Sequence, residues 1–143
     1  MSVFTPSEIE FLSSQTLARV ATVGPDGQPH LVPVTFTFNA AEDAIDVGGI
    51  NFGETKKWRD AQANPRVTFL LDDVRPNPYR ARAIEVRGRA EALASGGSKI
   101  NPRFPSFAEE FLRIRPTRIV SWGLAGADGA VPDEFRLNAR SVG

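Results

Sequence analysis

The sequence has no cysteine, one histidine (His30), one methionine, one tyrosine and three lysines among its 143 residues. Without cysteine there is no thiol nucleophile, no CxxC redox pair and no cysteine zinc site, and a single histidine leaves no imidazole cluster for a catalytic metal. No apolar run approaches the ~20 residues that span a bilayer, and Met1-Ser2-Val3-Phe4 lacks the basic and apolar regions of a secretory signal. The expectation is a cytoplasmic protein without membrane contact. Net charge is missing too: 17 basic side chains balance 17 acidic ones, which argues against a general nucleic-acid binder with its strongly basic face. GxGxxG, GxxxxGKS/T and GxSxG do not occur, so the dinucleotide, nucleoside-triphosphate and serine-hydrolase signatures are absent. The carboxylate pairs Asp72-Asp73 and Glu109-Glu110 are sequence neighbours whose side chains diverge, so glycosidase chemistry has no specific support.

What the chain does contain is enough apolar residue, 41%, for one domain over residues 1–143, with a core over about 5–125 and a tail at 126–143. Thr5-Pro6-Ser7-Glu8 has the form of a capping box and predicts a helix to about Ser14, with Ile9, Phe11 and Leu12 on its apolar side. Leu17 to Val23 reads as a strand, Gly24 to Gly27 as a turn, and His30 to Phe38 alternates with period two. Pro33 cannot donate to a ladder, so that second strand lies at an edge or carries a bulge, and a gap there could admit a ligand. Further strands are expected at Ala44–Gly48, Val67–Leu71, Ala83–Leu93 and Thr117–Leu124, and helices at Glu54–Ala63 and Ala108–Ile114. Six strands with three short helical pieces suggest a mainly β fold, an antiparallel barrel with short helices outside. A doubly wound sheet would need regular strand–helix alternation. The tail after Gly126 is rich in Gly and Asp and is expected to be ordered only where something holds it.

Charge is unevenly spread. Residues 1–54 carry one basic and seven acidic side chains, whereas residues 55–120 carry fourteen basic and seven acidic ones. At the junction stands Gly48-Gly49-Ile50-Asn51-Phe52-Gly53-Glu54-Thr55-Lys56-Lys57-Trp58-Arg59. Loop N–H groups and the positive end of a helix dipole favour an anion there, and Thr55, Lys56 and Lys57 add donors and charge. Basic residues in a first helical turn oppose the dipole unless an anion compensates, which reads as a phosphate site rather than a solvated face. Trp58 is either a core anchor or a stacking surface. A chain without nucleophile, metal or acid–base pair, but with an anion cradle on a small barrel, points to chemistry carried by a phosphorylated cofactor.

The run Leu17-Ala18-Arg19-Val20-Ala21-Thr22-Val23-Gly24-Pro25-Asp26-Gly27-Gln28-Pro29-His30-Leu31-Val32-Pro33-Val34 resembles the opening of the pyridoxamine-phosphate-oxidase-like split-barrel flavoproteins. Asp46 to Asn51, Thr55 to Asp60, Asn64 to Val67, Ile84 to Glu91 and Ile119 to Leu124 resemble their deazaflavin-dependent branch, within it the oxytetracycline-reductase-like group. The resemblance implies an FMN-binding split barrel and a homodimer with cofactor sites at the interface. It implies coenzyme F-420 as cofactor, with FMN the alternative, and an oxidoreductase passing hydride from reduced F-420 to an electron-poor enone, quinone or tetrapyrrole. A non-catalytic flavin, deazaflavin or haem carrier would use the same cradle. By the resemblance Lys57 holds the cofactor phosphate, with Thr55, Lys56 and Asn51 beside it. Pro33, Val34 and Thr35 lie along the ring system, and Arg82 stands opposite. Ala81 and Ala83 stand where the family has Pro and Gly, and Trp58 where it often has Tyr.

Overall fold

Folding of the N-terminus is organised by the expected cap. In the computed structural model, which describes residues 1–125 and 137–143, the Glu8 N–H donates to the Thr5 hydroxyl (3.2 Å) and the Thr5 N–H donates to the Glu8 carboxylate (2.9 Å). Two N–H groups that a helix start leaves free are thereby satisfied. The helix it opens, α1 (Pro6–Ser13), buries Phe11 and Leu12 and packs against the second strand.

The strands are β1 (Leu17–Val23), β2 (Pro29–Asn39), β3 (Ala44–Gly48), β4 (Arg66–Pro76), β5 (Tyr79–Leu93), β6 (Phe111–Trp122) and β7 (Asn138–Ser141), with α2 (Lys56–Ala63) between β3 and β4. Their order is β3-β2-β1-β4-β5-β6-β7, and a further β3–β6 pairing closes the first six into a ring. Every pairing is antiparallel. Alternate residues point inward, so Val20, Phe36, Val47, Phe69, Ile84, Val86, Ile114 and Ile119 fill the barrel, with Phe36 and Phe69 edge to face at 5.0 Å. None of the described helices is long and apolar enough to cross a membrane.

The mainly β barrel agrees with the expectation, and four local features differ. Ala108–Ile114 is not a helix: β6 begins at Phe111. Leu112 and Ile114 point inward while Arg113 and Arg115 point out, and Leu112 pairs with Val47 to close the ring. Strand closure overrides the local helical preference of a segment this short. The β4–β5 hairpin is longer than its sequence suggests, continuing through Asp72-Asp73 to Pro76 and resuming at Tyr79. α2 starts at Lys56, because Phe52–Glu54 forms a separate 3-10 turn and Thr55 caps the helix. The tail supplies an unexpected strand, β7, on the far half of β6; its segment 126–136 lies outside the described residues.

What holds β7 is an ion pair across the molecule. Glu8, fully buried, accepts from Arg140 at 2.6 and 3.1 Å and from the Ser121 hydroxyl at 2.6 Å. Burial pushes the Glu8 carboxyl up, but hydrogen bonds from Arg140, Ser121 and the Thr5 N–H, with the charge of Arg140, outweigh it and leave the group below its ordinary range. Helix α1 and the C-terminal strand are thus fastened to one carboxylate.

Candidate functional site

The site is built where β3 lets go of β2. Thr35 pairs with Gly48, the last residue of β3, so residues 29–34 of β2 pair with β1 alone. Pro33 sits in that singly paired stretch, where its missing N–H costs no ladder bond. Of the two expected placements, edge or bulge, the structure shows the edge, with an unbroken register to β1. Val34 is buried, while Pro33 and Thr35 face outward, beside the exposed Leu31 and Leu17.

From Gly48 the chain turns away through 49–55. Asn51 is exposed and adopts the left-handed conformation (φ 54°), which Asn tolerates better than most residues. The loop is pressed against the β5–β6 connection. The Ala108 N–H donates to the Gly49 carbonyl (2.9 Å), and a Cβ at Gly53 would collide with the Glu110 side chain. Thr55 then caps α2: its hydroxyl accepts from the Trp58 N–H (3.3 Å) and donates to the Phe52 carbonyl (2.7 Å). Trp58 packs edge to face on the buried Phe52 at 6.1 Å and lies against the core, so it is an anchor of this corner.

The two lysines meet different surroundings. Lys56 Nζ donates to both carboxylate oxygens of Asp60, one turn on, at 3.0 and 3.1 Å. Asp60 is buried and also accepts from the Thr22 hydroxyl (3.1 Å). Burial pushes its carboxyl up, and the bonds from Lys56 and Thr22 more than reverse that. Lys57 is half-buried with its ammonium 5.0 Å from the Phe52 ring centre, and no carboxylate among the described residues lies within salt-bridge distance. Loss of solvent pushes its ammonium below the usual lysine range, so its charge is partly desolvated. Lys57 therefore fits the phosphate of a cofactor better than Lys56, whose charge already serves Asp60. The sequence signal for that difference is the i,i+4 spacing of Lys56 and Asp60, which places the pair on one helix face.

Asn51, Thr55, Lys56 and Lys57 thus share one loop and helix start, which leaves β3 at Gly48, the partner of Thr35 at the end of the stretch that carries Pro33 and Val34. Arg82 is held elsewhere. On β5, its guanidinium donates to both oxygens of Asp73 (2.8 and 2.6 Å) and lies over the Phe11 ring at 4.4 Å. Asp72 turns the other way, to Arg19 at 3.1 Å, so the adjacent carboxylates do diverge.

The site thus combines a singly paired stretch of β2 on a closed antiparallel barrel with a lysine that no carboxylate among the described residues answers. The match to the pyridoxamine 5'-phosphate oxidase family model extends over residues 4–123, and the chain belongs to that family. It is 42% identical over 124 residues, 86% of this chain and 85% of the relative, to the 5a,11a-dehydrotetracycline/5a,11a-dehydrooxytetracycline reductase of Streptomyces rimosus. Among solved structures it is similar to an FAD binding protein from Mycobacterium smegmatis, with TM-score 0.60, 22% identity, and 82% and 93% of the two chains covered. It is similar also to an F420 reductase, with TM-score 0.59, 22% identity, and 82% and 98% covered.

Proposed function

We propose that this protein is an oxidoreductase that uses coenzyme F-420 to reduce an electron-poor, conjugated polycyclic substrate of the tetracycline kind. The observation that carries the reading is Lys57: a half-buried ammonium that no carboxylate among the described residues answers, in the first turn of α2, after the loop that leaves Gly48, the partner of Thr35 on β2. The reductase activity in the name of the Streptomyces rimosus relative, at 42% identity, supports the reaction class and the substrate kind.

In this reading Lys57 binds the cofactor phosphate, and Asn51 and Thr55 shape the loop around it. Lys56 acts indirectly, by holding Asp60. The backbone of Pro33, Val34 and Thr35 lies along the ring system, and Arg82, fixed by Asp73, stands opposite. Bound and reduced, the coenzyme would supply the hydride for one carbon of the substrate's double bond, with the proton for the other carbon drawn from solvent or a side chain. The chain orients the reactants and keeps water away, for which the outward Leu17, Leu31 and Pro33 are suited. Leu17 and Leu31 are 52% and 66% exposed in the single chain, which supports a homodimer that covers them and completes the site.

The test is titration with F-420 and with FMN, followed by turnover of reduced F-420 with 5a,11a-dehydrotetracycline. The expected result is tighter F-420 binding and substrate-dependent reoxidation. Tighter FMN binding would overturn the cofactor, and F-420 binding without turnover would make the protein a carrier. Light scattering should show a dimer, and a stable monomer of 15.6 kDa would remove the interface site.

A further inference from the structure

A second basic region lies on the outer face of β4, β5 and β6, and none of the residues assigned to the cofactor lines it. It is a groove of about 430 Å³ whose polar walls are Arg66, Thr68, Arg87, Thr117, Arg118 and Ser141. The sheet register explains its shape. Thr68 pairs with Arg87, Arg87 with Arg118, and Arg118 with Ser141, so the four stand in one row across β4, β5, β6 and β7. Between Arg87 and Gly88 the register shifts and leaves Thr117 as an extra residue on β6. Such a bulge bends the strand and re-aims its side chains. Gly88 belongs to the inward-facing set of β5, and a Cβ there would collide with the Arg115 carbonyl and press on the buried Ile114, so the strands close tightly beneath the groove.

The charges in this groove are not arranged as the protein arranges structural arginines. Arg113 on the same strand is taken by Asp46 at 2.8 Å and Glu42 at 3.4 Å, and Arg115 by Glu42 at 2.6 Å and by Glu91. In the groove, by contrast, Arg87 and Arg118 face each other directly, a like-charge pairing that is unfavourable in a sheet. Arg66 likewise faces Arg89 across β4 and β5. Glu85 answers Arg87 at 3.1 Å. Among the described residues, Arg118 reaches the Ser141 hydroxyl at 3.5 Å and no carboxylate, and Arg66 and Arg89 meet no carboxylate either. Guanidinium forks beside three hydroxyl groups match the oxygens of phosphate or carboxylate groups, which accept paired N–H bonds.

We propose that this groove binds a small ligand bearing two or more oxyanionic groups, phosphate or carboxylate, with Arg66, Arg87 and Arg118 as its charged contacts. The site is separate from the cradle at Lys57 and does not depend on the cofactor reading. Because β7 forms one wall, occupancy would also tie the C-terminal strand to β6.

The test uses the full chain without cofactor, titrated with inorganic pyrophosphate and, separately, citrate at ionic strength matched with sodium chloride. Calorimetry gives the affinity, and hydrogen exchange reports protection of the 117–121 and 138–142 amides. Saturable binding should weaken by about tenfold in Arg118→Gln and in Arg66→Gln, the loss of one charge-assisted contact, and should persist in Lys57→Ala. Both arginines are at the surface, so the variants should fold as the parent does. Pyrophosphate binding alone identifies a phosphate ligand, and citrate binding alone a polycarboxylate. No binding beyond the sodium chloride control, binding unchanged in both arginine variants, or binding abolished in Lys57→Ala would each overturn the proposal.

Discussion

Two helix starts in this molecule carry charge, and they are treated in opposite ways. At α1 the carboxylate of Glu8 is buried, yet the Thr5 N–H, Ser121 and Arg140 all donate to it. At α2 the ammonium of Lys57 is half-buried and meets no carboxylate among the described residues, although its neighbour Lys56 has one. A fold fastens its own buried charges with several partners, because an unanswered one costs several kcal/mol. The contrast marks Glu8 as a charge of the fold and supports the proposal that Lys57 serves a ligand.

The comparison can be broken most forcefully at α1. Arg140→Ala leaves Glu8 buried with fewer donors and should cost about 3 kcal/mol of stability in urea unfolding, since removing one member of a buried pair strands the other. The sign with pH follows from the lowered carboxyl. In the parent, Glu8 contributes stability above its unfolded value of 4.5, lost as pH falls through the lower folded value. In Arg140→Ala, burial is opposed only by Ser121 and Thr5. The variant's deficit should therefore widen as pH rises from 4 to 7, and a deficit independent of pH would show that Glu8 is not the group involved.

Smaller effects sharpen the contrast at α2. Lys56→Ala leaves the buried Asp60 with Thr22 as its remaining side-chain donor and should cost about 1–3 kcal/mol by chemical denaturation. Thr55→Ala removes the cap of α2 and should cost about 1 kcal/mol, read as a lower melting temperature. Lys57→Ala should change the stability of the cofactor-free protein by less than about 0.5 kcal/mol, because it removes a charge that is desolvated and opposes the helix dipole. A large loss in that last variant would place Lys57 with Glu8 among the fold's own charges.

Much of this was readable in the sequence, and the exceptions share a cause. The Thr5-Pro6-Ser7-Glu8 cap, the alternation of β2 and the edge-or-bulge placement of Pro33 are local signals, set by residues a few positions apart. The loop and turn that hold Asn51, Thr55, Lys56 and Lys57, on which the proposed anion cradle rests, are local as well. Whatever depends on distant partners was not legible. β6 begins at Phe111 because Val47, far away in sequence, needs a neighbour. β7 exists because Arg140 finds Glu8 across the barrel. Arg82, which the resemblance sets opposite the site, is held by Asp73 through strand register, and no local signal announces that partner. The different roles of Lys56 and Lys57 lie between these cases: the spacing to Asp60 is visible, but the burial that gives it weight is not.

The most direct test of the central claim is to measure F-420 affinity, by fluorescence titration, for the parent, Lys56→Ala and Lys57→Ala side by side. Loss of a charge-assisted bond of about 1.5–3 kcal/mol predicts roughly ten- to a hundredfold weaker binding for Lys57→Ala. Lys56→Ala should stay within about threefold of the parent, less than 1 kcal/mol. Equal losses in the two variants, or a loss confined to Lys56→Ala, would contradict the account.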